Sequence, residues 1–339
     1  MLDSSKRFSI NWHEERLTGC MLKYLGYRMV GSLSGIIPRR VQYGVSRWIS
    51  DAYYHIDGTA RQNVKANLRS LFDGDTRPAE VTHTARQIFR SFGIYLCEFL
   101  GYRSYGAQFI REHVEVRGRD HLDAALRSGR GVIFCSAHYS NWELGASVVA
   151  YMGYPIVAIT QMHADSSANR VFVEQREARG VRVVHSQHGA KAALRALRQN
   201  QTVAVLGDRT TGGPTVEVQF LGRRTALPQG PWRLAAISGA ALLPTFVHRR
   251  SDLGYTLEIG PAIDSLKAGT REKQIVYSAQ QWTHCFESRL RADPCQWAEF
   301  QRIWNEVEDT SPAGRNIGYG NTDEIPALEL SSTHGGAHS

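Results

Sequence analysis

Gly131-Val132-Ile133-Phe134-Cys135-Ser136 is a short uncharged run, and Ala137-His138-Tyr139-Ser140-Asn141-Trp142-Glu143 follows it directly. An apolar run of that length, without alternation, reads as a strand buried on both faces. Helical spacing then holds from Trp142 to Tyr151, so the stretch reads as strand, turn and helix. The same texture continues downstream. Pro155 to Thr160, Val181 to His185, Thr202 to Leu206 and Ala241 to Val247 are short apolar runs, with helical patterns between them at Ser167 to Arg179, Ala190 to Arg198 and Trp232 to Ser238. Buried strands separated by helices predict an α/β fold with a mostly parallel sheet flanked by helices.

The N-terminal third reads as helical over Arg40 to Tyr54, Thr59 to Phe72 and Glu80 to Phe99, where apolar residues recur at three- and four-residue spacing. Residues from about Arg271 to Glu308 return to helix. We therefore divide the chain into a flexible N-terminus at 1–15, a helical membrane-associating portion at 16–110, an α/β portion at 111–309 and a disordered tail at 310–339.

Hydrophobic residues make up 42% and charged residues 21%, which excludes wholesale disorder. The net charge of +8 favours an anionic partner such as an acidic membrane surface or carrier protein. The arginines are spread along the chain, and no zinc-finger, RNP-like or helix-turn-helix pattern points to nucleic acid. The five cysteines are scattered and never spaced as C-x2-C, so neither a disulfide framework nor a zinc site is expected, and a reducing compartment fits. No cleavable signal peptide is evident.

Between Leu17 and Pro38 the chain is apolar, but Lys23 and Arg28 interrupt it, and the run from Met29 to Pro38 is too short to span a bilayer. Leu22, Leu25, Met29, Leu33 and Ile36 share one helical face. Two readings stay open for it: a helix lying in the membrane interface, or an ordinary amphipathic helix packed on the core.

In open α/β sheets ligands bind outside the carboxyl ends of the strands, which is where His138 would stand. An imidazole there is suited to take a proton from an attacking alcohol. Against this, Ser140-Asn141-Trp142-Glu143 also fits the capping-box pattern S-x-x-E, in which Glu143 only satisfies a backbone N–H. Asp208 follows the Thr202–Leu206 strand and so belongs to the same sheet edge, although turn aspartates are common. Arg223 and Arg224, followed by Pro228-Gln229-Gly230-Pro231, would suit a phosphate or lipid head group, or form a solvated hairpin. Cys135 is a rival nucleophile, more simply read as a buried thiol.

Taken together, these blocks resemble the bacterial lipid A biosynthesis (lauroyl/myristoyl) acyltransferase family and its phosphatidylinositol mannoside acyltransferase relatives. The resemblance is carried by H-x4-E at His138 to Glu143, by N-R with R-E-x-R-G between Asn169 and Gly180, and by L-G-D-R at Leu206 to Arg209. It continues with F-L-G-R at Phe220 to Arg223, a Trp-bearing C-terminal helix from Gln296-Trp297 to Trp304, and R-x-N-x3-N-L within Arg61 to Leu68. The resemblance implies a glycerolipid-acyltransferase-like fold and transfer of an acyl chain from an acyl carrier protein or coenzyme A thioester to a lipid hydroxyl. The site would face the cytosol at the inner membrane. His138 would be the base and Glu143 its acidic partner, with Asp208 a competitor for that task. Asn141, Arg176, Arg209, Gly222 and Arg223 are the candidate substrate-binding residues. The pattern departs at Arg209, where the family often has Gln. No metal or further cofactor is expected. A lipid-binding protein without chemistry and a hydrolase are the rival readings.

Overall fold

A computed structural model describes residues 24–72, 77–101, 106–161, 166–210, 212–264 and 268–304. The expected flexible N-terminus and disordered tail lie outside these residues, as does Leu22.

The chain opens with helices: α1 (24–33), α2 (Arg39–Ile56), α3 (Gly58–Leu71), α4 (Pro78–Leu100) and α5 (Ala107–His113). Pro78 starts α4, where its missing N–H costs nothing. Asp57 caps α3 by accepting from Ala60 N. Then follow β1 (Val114–Arg117), α6 (Arg119–Leu126), β2 (Val132–Ser136), α7 (Trp142–Tyr151), β3 (Ile156–Thr160), α8 (Ser166–Glu177), β4 (Val181–His185), α9 (Ser186–Arg198) and β5 (Thr202–Leu206). The remainder comprises β6 (Thr215–Phe220), β7 (Arg223–Pro228), α10 (Gly230–Ser238), β8 (Ala241–Arg249), β9 (Tyr255–Ile259) and α11 (Arg271–Ala292).

Seven strands form one sheet in the order β1-β9-β8-β2-β5-β3-β4, and all neighbours pair parallel except β8 with β9. Each buried strand feeds one side chain to each face. Phe134, Ala158, Leu243 and Leu257 pack with Leu144 and Val148 of α7 and Phe99 of α4. On the opposite face, Ile133, Cys135, Val157 and Val203 pack with α9, α10 and α11. The five strands expected from apolar runs are all present. Burial on both faces accounts for the runs of β2, β3, β5 and β8, whereas β4 lies at the sheet edge with Arg182 exposed.

Three strand features escaped the sequence reading: β1, β9 and the antiparallel β6–β7 hairpin. The hairpin alternates buried and exposed residues and turns through Leu221 and Gly222, both at positive φ. That is the two-residue hairpin geometry, and it favours glycine at Gly222.

The C-terminal helix needs correction. α11 stops at Ala292, a 3-10 turn occupies Pro294–Gln296, and no helix covers Trp297–Trp304. Pro294 is the cause, since a proline disfavours helical geometry at the residue before it, and Asp293 is extended at φ −152 and ψ 88. Trp297 instead makes a β-bridge to Tyr139.

α2 is amphipathic in an unusual sense. Its buried side is polar, with Gln42, Ser46 and Ser50 among the residues facing inward. Gly93 of α4 sits against them so closely that an added Cβ would lie 2.0 Å from Ser50 Oγ. Its outer side carries Val41, Val45, Trp48, Ile49 and Ile56, with Trp48 74% exposed. Among the described residues no helix is long and apolar enough to cross a membrane.

Candidate active site

The register of two adjacent strands brings His138 and Asp208 together. Ser136 and Leu206 are partners at the carboxyl ends of β2 and β5, and Gly207 N donates to the Ser136 carbonyl at 2.9 Å. Two residues beyond each partner stand His138 and Asp208. Gly207 has to be small: a Cβ there would lie 2.9 Å from Cys135 Sγ and 3.1 Å from the Trp232 ring.

His138 Nδ1 lies 2.9 Å from Asp208 Oδ1, and the His138 backbone N–H donates to Asp208 Oδ2 at 2.9 Å. Trp297 Nε1 donates to the same Oδ2 at 3.2 Å. An ionised carboxylate only accepts, so Nδ1 carries the proton and Nε2 is the basic nitrogen. Asp208 is fully buried. Burial pushes its carboxyl up, but the His138 charge and hydrogen bonds together with Arg209 outweigh it and hold Asp208 below the usual aspartate range. His138 packs edge-on against Trp142, with ring centroids 5.0 Å apart.

Glu143 has a different partner. Arg176 of α8 grips it with two bonds, Nε to Oε2 at 2.9 Å and Nη2 to Oε1 at 2.5 Å, and both side chains are largely buried. The capping-box reading fails as well. Asn141 is the N-cap of α7, accepting from Leu144 N at 3.0 Å, while Ser140 sits at φ 55 with its hydroxyl buried and unbonded.

His138 lines a cavity of about 900 Å³ whose other walls come from both faces of the sheet. Phe92, Phe134, Val149, Phe172 and Leu257 give it an apolar wall, while His138, Glu143, Arg176 and Arg209 supply polar groups. Such a chamber suits a hydrocarbon chain with its reactive end held beside the polar groups. Pro228, Gly230 and Pro231, at the start of α10, also line it.

His138, Glu143, Arg176 and Arg209 thus line one cavity, with Asp208 buried behind His138. Asn141 is buried nearby but does not line it, and its Nδ2 donates to Glu98 Oε2 at 2.8 Å. Gly222 and Arg223 stand apart on the β6–β7 hairpin, where Arg223 donates to Ser70 Oγ at 2.8 Å. The hairpin braces the C-terminal segment instead: Phe220 stacks on Trp304 and meets Trp297 edge-on. Cys135 is fully buried in β2, and burial drives its thiol well above the usual range. A thiol so placed is a poor nucleophile.

Glu98 was missed from sequence, and the task of two asparagines that had been quoted was not read. Glu98 of α4 is buried and accepts hydrogen bonds from the hydroxyls of Tyr43 and Tyr255, linking α2 and β9 to the cap of α7. Its only signal was an acid in the apolar final turns of α4. The asparagines of the Arg61–Leu68 block bind the C-terminal segment: Asn63 donates to the Phe300 carbonyl at 3.0 Å and Asn67 to Gln301 at 2.8 Å.

Residues 12–306 match the family model of bacterial lipid A biosynthesis acyltransferases. The chain belongs to that family. Among relatives in this acyltransferase family, the phosphatidylinositol mannoside acyltransferase of Mycobacterium tuberculosis is 28% identical over 193 residues, covering 56% of this chain. That alignment spans 59% of the relative's own length. The Mycolicibacterium smegmatis protein of the same name is 25% identical over 285 residues, covering 83% of this chain and 90% of the relative. The lipid A biosynthesis palmitoleoyltransferase of Escherichia coli is 26% identical over 211 residues, covering 58% of this chain and 68% of the relative.

Proposed function

We propose that the protein is an O-acyltransferase that moves a fatty acyl chain from a thioester to a hydroxyl of a membrane lipid. The pairing of Asp208 with His138, which lines a largely apolar cavity, carries this reading. His138 Nε2 takes the proton of the acceptor hydroxyl while its oxygen attacks the thioester carbonyl carbon. The tetrahedral intermediate collapses, the carbon–sulfur bond breaks, and the imidazolium returns the proton to the leaving sulfur. Asp208 fixes the tautomer and stabilises the imidazolium between the two transfers. No acyl-enzyme is needed.

The donor is an acyl carrier protein or coenzyme A thioester, since both present a thioester at the end of a chain bearing negative charge. The names of the relatives support two acceptor classes: a lipid A precursor-like glycolipid and a mannosylated inositol lipid. The test is mass spectrometry of membrane lipids incubated with both kinds of thioester and either wild-type protein or His138→Ala. A lipid that gains one acyl chain only with wild type establishes the reaction and names the acceptor. Free fatty acid alone indicates a hydrolase. No product from a folded wild-type protein across a broad lipid panel indicates a binding protein.

The reaction's place is the membrane surface, at the cytosolic face of the inner membrane in this reading. The outward apolar side of α2, flanked by exposed Arg40 and Arg47, supports it, as do exposed Leu25, Met29 and Leu33 of α1. Burying one such side chain contributes about 1.5–3 kcal/mol. Trp48→Ser combined with Ile56→Ser should therefore weaken sedimentation with anionic lipid vesicles by at least about tenfold. Unchanged partitioning would remove α2 from the membrane contact.

A further inference from the structure

Asp208 has a competitor for its carboxylate as its immediate chain neighbour. A guanidinium that close to a buried carboxylate is expected to pair with it. Arg209 does not. Its Nε donates to Glu299 Oε2 at 2.8 Å, and its Nη2 donates to the Ala298 carbonyl at 2.9 Å. The Glu299 side chain is 0% exposed, and its other oxygen accepts from Gln301 N at 2.6 Å. Ligand atoms of His138, Asp208 and Glu299 lie within 4.8 Å of one another, so Arg209 is within reach of both carboxylates.

The segment bearing Glu299 is tied to the loop of the base. Ser140 N donates to the Gln296 carbonyl at 2.7 Å and Ala298 N to the His138 carbonyl at 2.8 Å. Between these bonds, Trp297 places its indole N–H on Asp208 Oδ2, and its rings are wedged edge-on against Phe220 and Phe286. The charged and titratable groups acting on Asp208 are therefore His138, Arg209, Glu299 and the buried Cys135 thiol.

We propose that Glu299 and Trp297 are positioning residues for the base: Glu299 holds Arg209 off the Asp208 carboxylate, and Trp297 anchors Oδ2 so that Oδ1 faces His138. This rests on the reading of His138 and Asp208 as the acid–base pair. Without Glu299, Arg209 turns to Asp208 and neutralises the charge that favours the imidazolium. Burial itself pushes the Glu299 carboxyl up and the nearby Asp208 charge adds to this, which Arg209 opposes. The pair thus serves both carboxylates.

The experiment is steady-state kinetics across pH, with acyl-coenzyme A and total membrane lipid, on wild type, Glu299→Gln, Trp297→Phe, Glu299→Gln with Arg209→Gln, and His138→Ala. Glu299→Gln should lower kcat by about tenfold or more, with KM for the thioester within about threefold. The acid limb of kcat/KM should move to lower pH, because the imidazolium loses its stabilising charge. Removing Arg209 as well should return the limb to its wild-type position, because Asp208 then keeps its charge. Trp297→Phe should shift both in the same direction as Glu299→Gln, and it carries the test by itself if Glu299→Gln does not fold. Wild-type kcat and pH profile in Glu299→Gln, or a shifted limb that the double variant does not return, would overturn the role of Glu299. An unmoved acid limb in Trp297→Phe would overturn that of Trp297. Retained turnover in His138→Ala would instead strike the catalytic reading on which both rest.

Discussion

His138→Ala folds as wild type does and loses acyl transfer by at least about 10²–10⁴, the range that positioned general-base catalysis supplies. The fold survives because the side chain is partly exposed at a strand end, while the backbone bonds to Asp208 and Ala298 remain available. Circular dichroism should overlay, and initial rates with saturating thioester should fall. The loss should appear in kcat, since the imidazole acts on the proton in transit rather than on the hydrocarbon chain. Turnover within a few fold of wild type in the folded variant would move the base elsewhere.

Glu143→Ala destabilises the protein by about 3–5 kcal/mol, the cost of removing one partner of a buried ion pair. Arg176 is 12% exposed and loses two charge-assisted bonds at once, so its charge stays in a place poor in water. Against a total stability of about 5–15 kcal/mol, this is a large fraction. Urea unfolding should show the midpoint falling with little change in slope. Glu143→Leu together with Arg176→Met should recover most of the stability, because replacing both charges by apolar groups removes the desolvation penalty. The measurement also separates two roles for the second acid of H-x4-E. If Glu143 also took part in proton transfer, the paired variant would recover the stability and still lack activity. The bidentate grip of Arg176 places its weight on architecture, holding α7 to α8 beside the cavity.

Three of the buried carboxylates in this region show how partners are chosen. Asp208, Glu143 and Glu299 each accept charged or strongly polar donors, yet each from a different part of the chain: Asp208 from His138, Glu143 from Arg176, Glu299 from Arg209. A sequence presents the acids and bases without saying which will meet. Charge alone would also allow Arg209 to pair with its neighbour Asp208. The extended segment after Pro294 decides otherwise, by carrying Glu299 into the interior.

By itself, the sequence determined the strand–turn–helix around His138, the four further strands read from apolar runs, and the placing of His138 and Asp208 at carboxyl ends of strands. Burial on two faces and helical periodicity leave local marks, so these were legible from short windows. The tertiary structure alone decided that β2 and β5 are neighbours in a register that sets Asp208 70 residues from His138 yet in contact with it. It likewise decided that Glu143 serves Arg176, that Glu98 ties α2 to the cap of α7, and that Trp297 lies on an extended segment. Each of these is a long-range choice between chemically similar partners. Such choices are settled by strand register and by the need of every buried charge for a donor, neither of which is written in any one stretch of the chain.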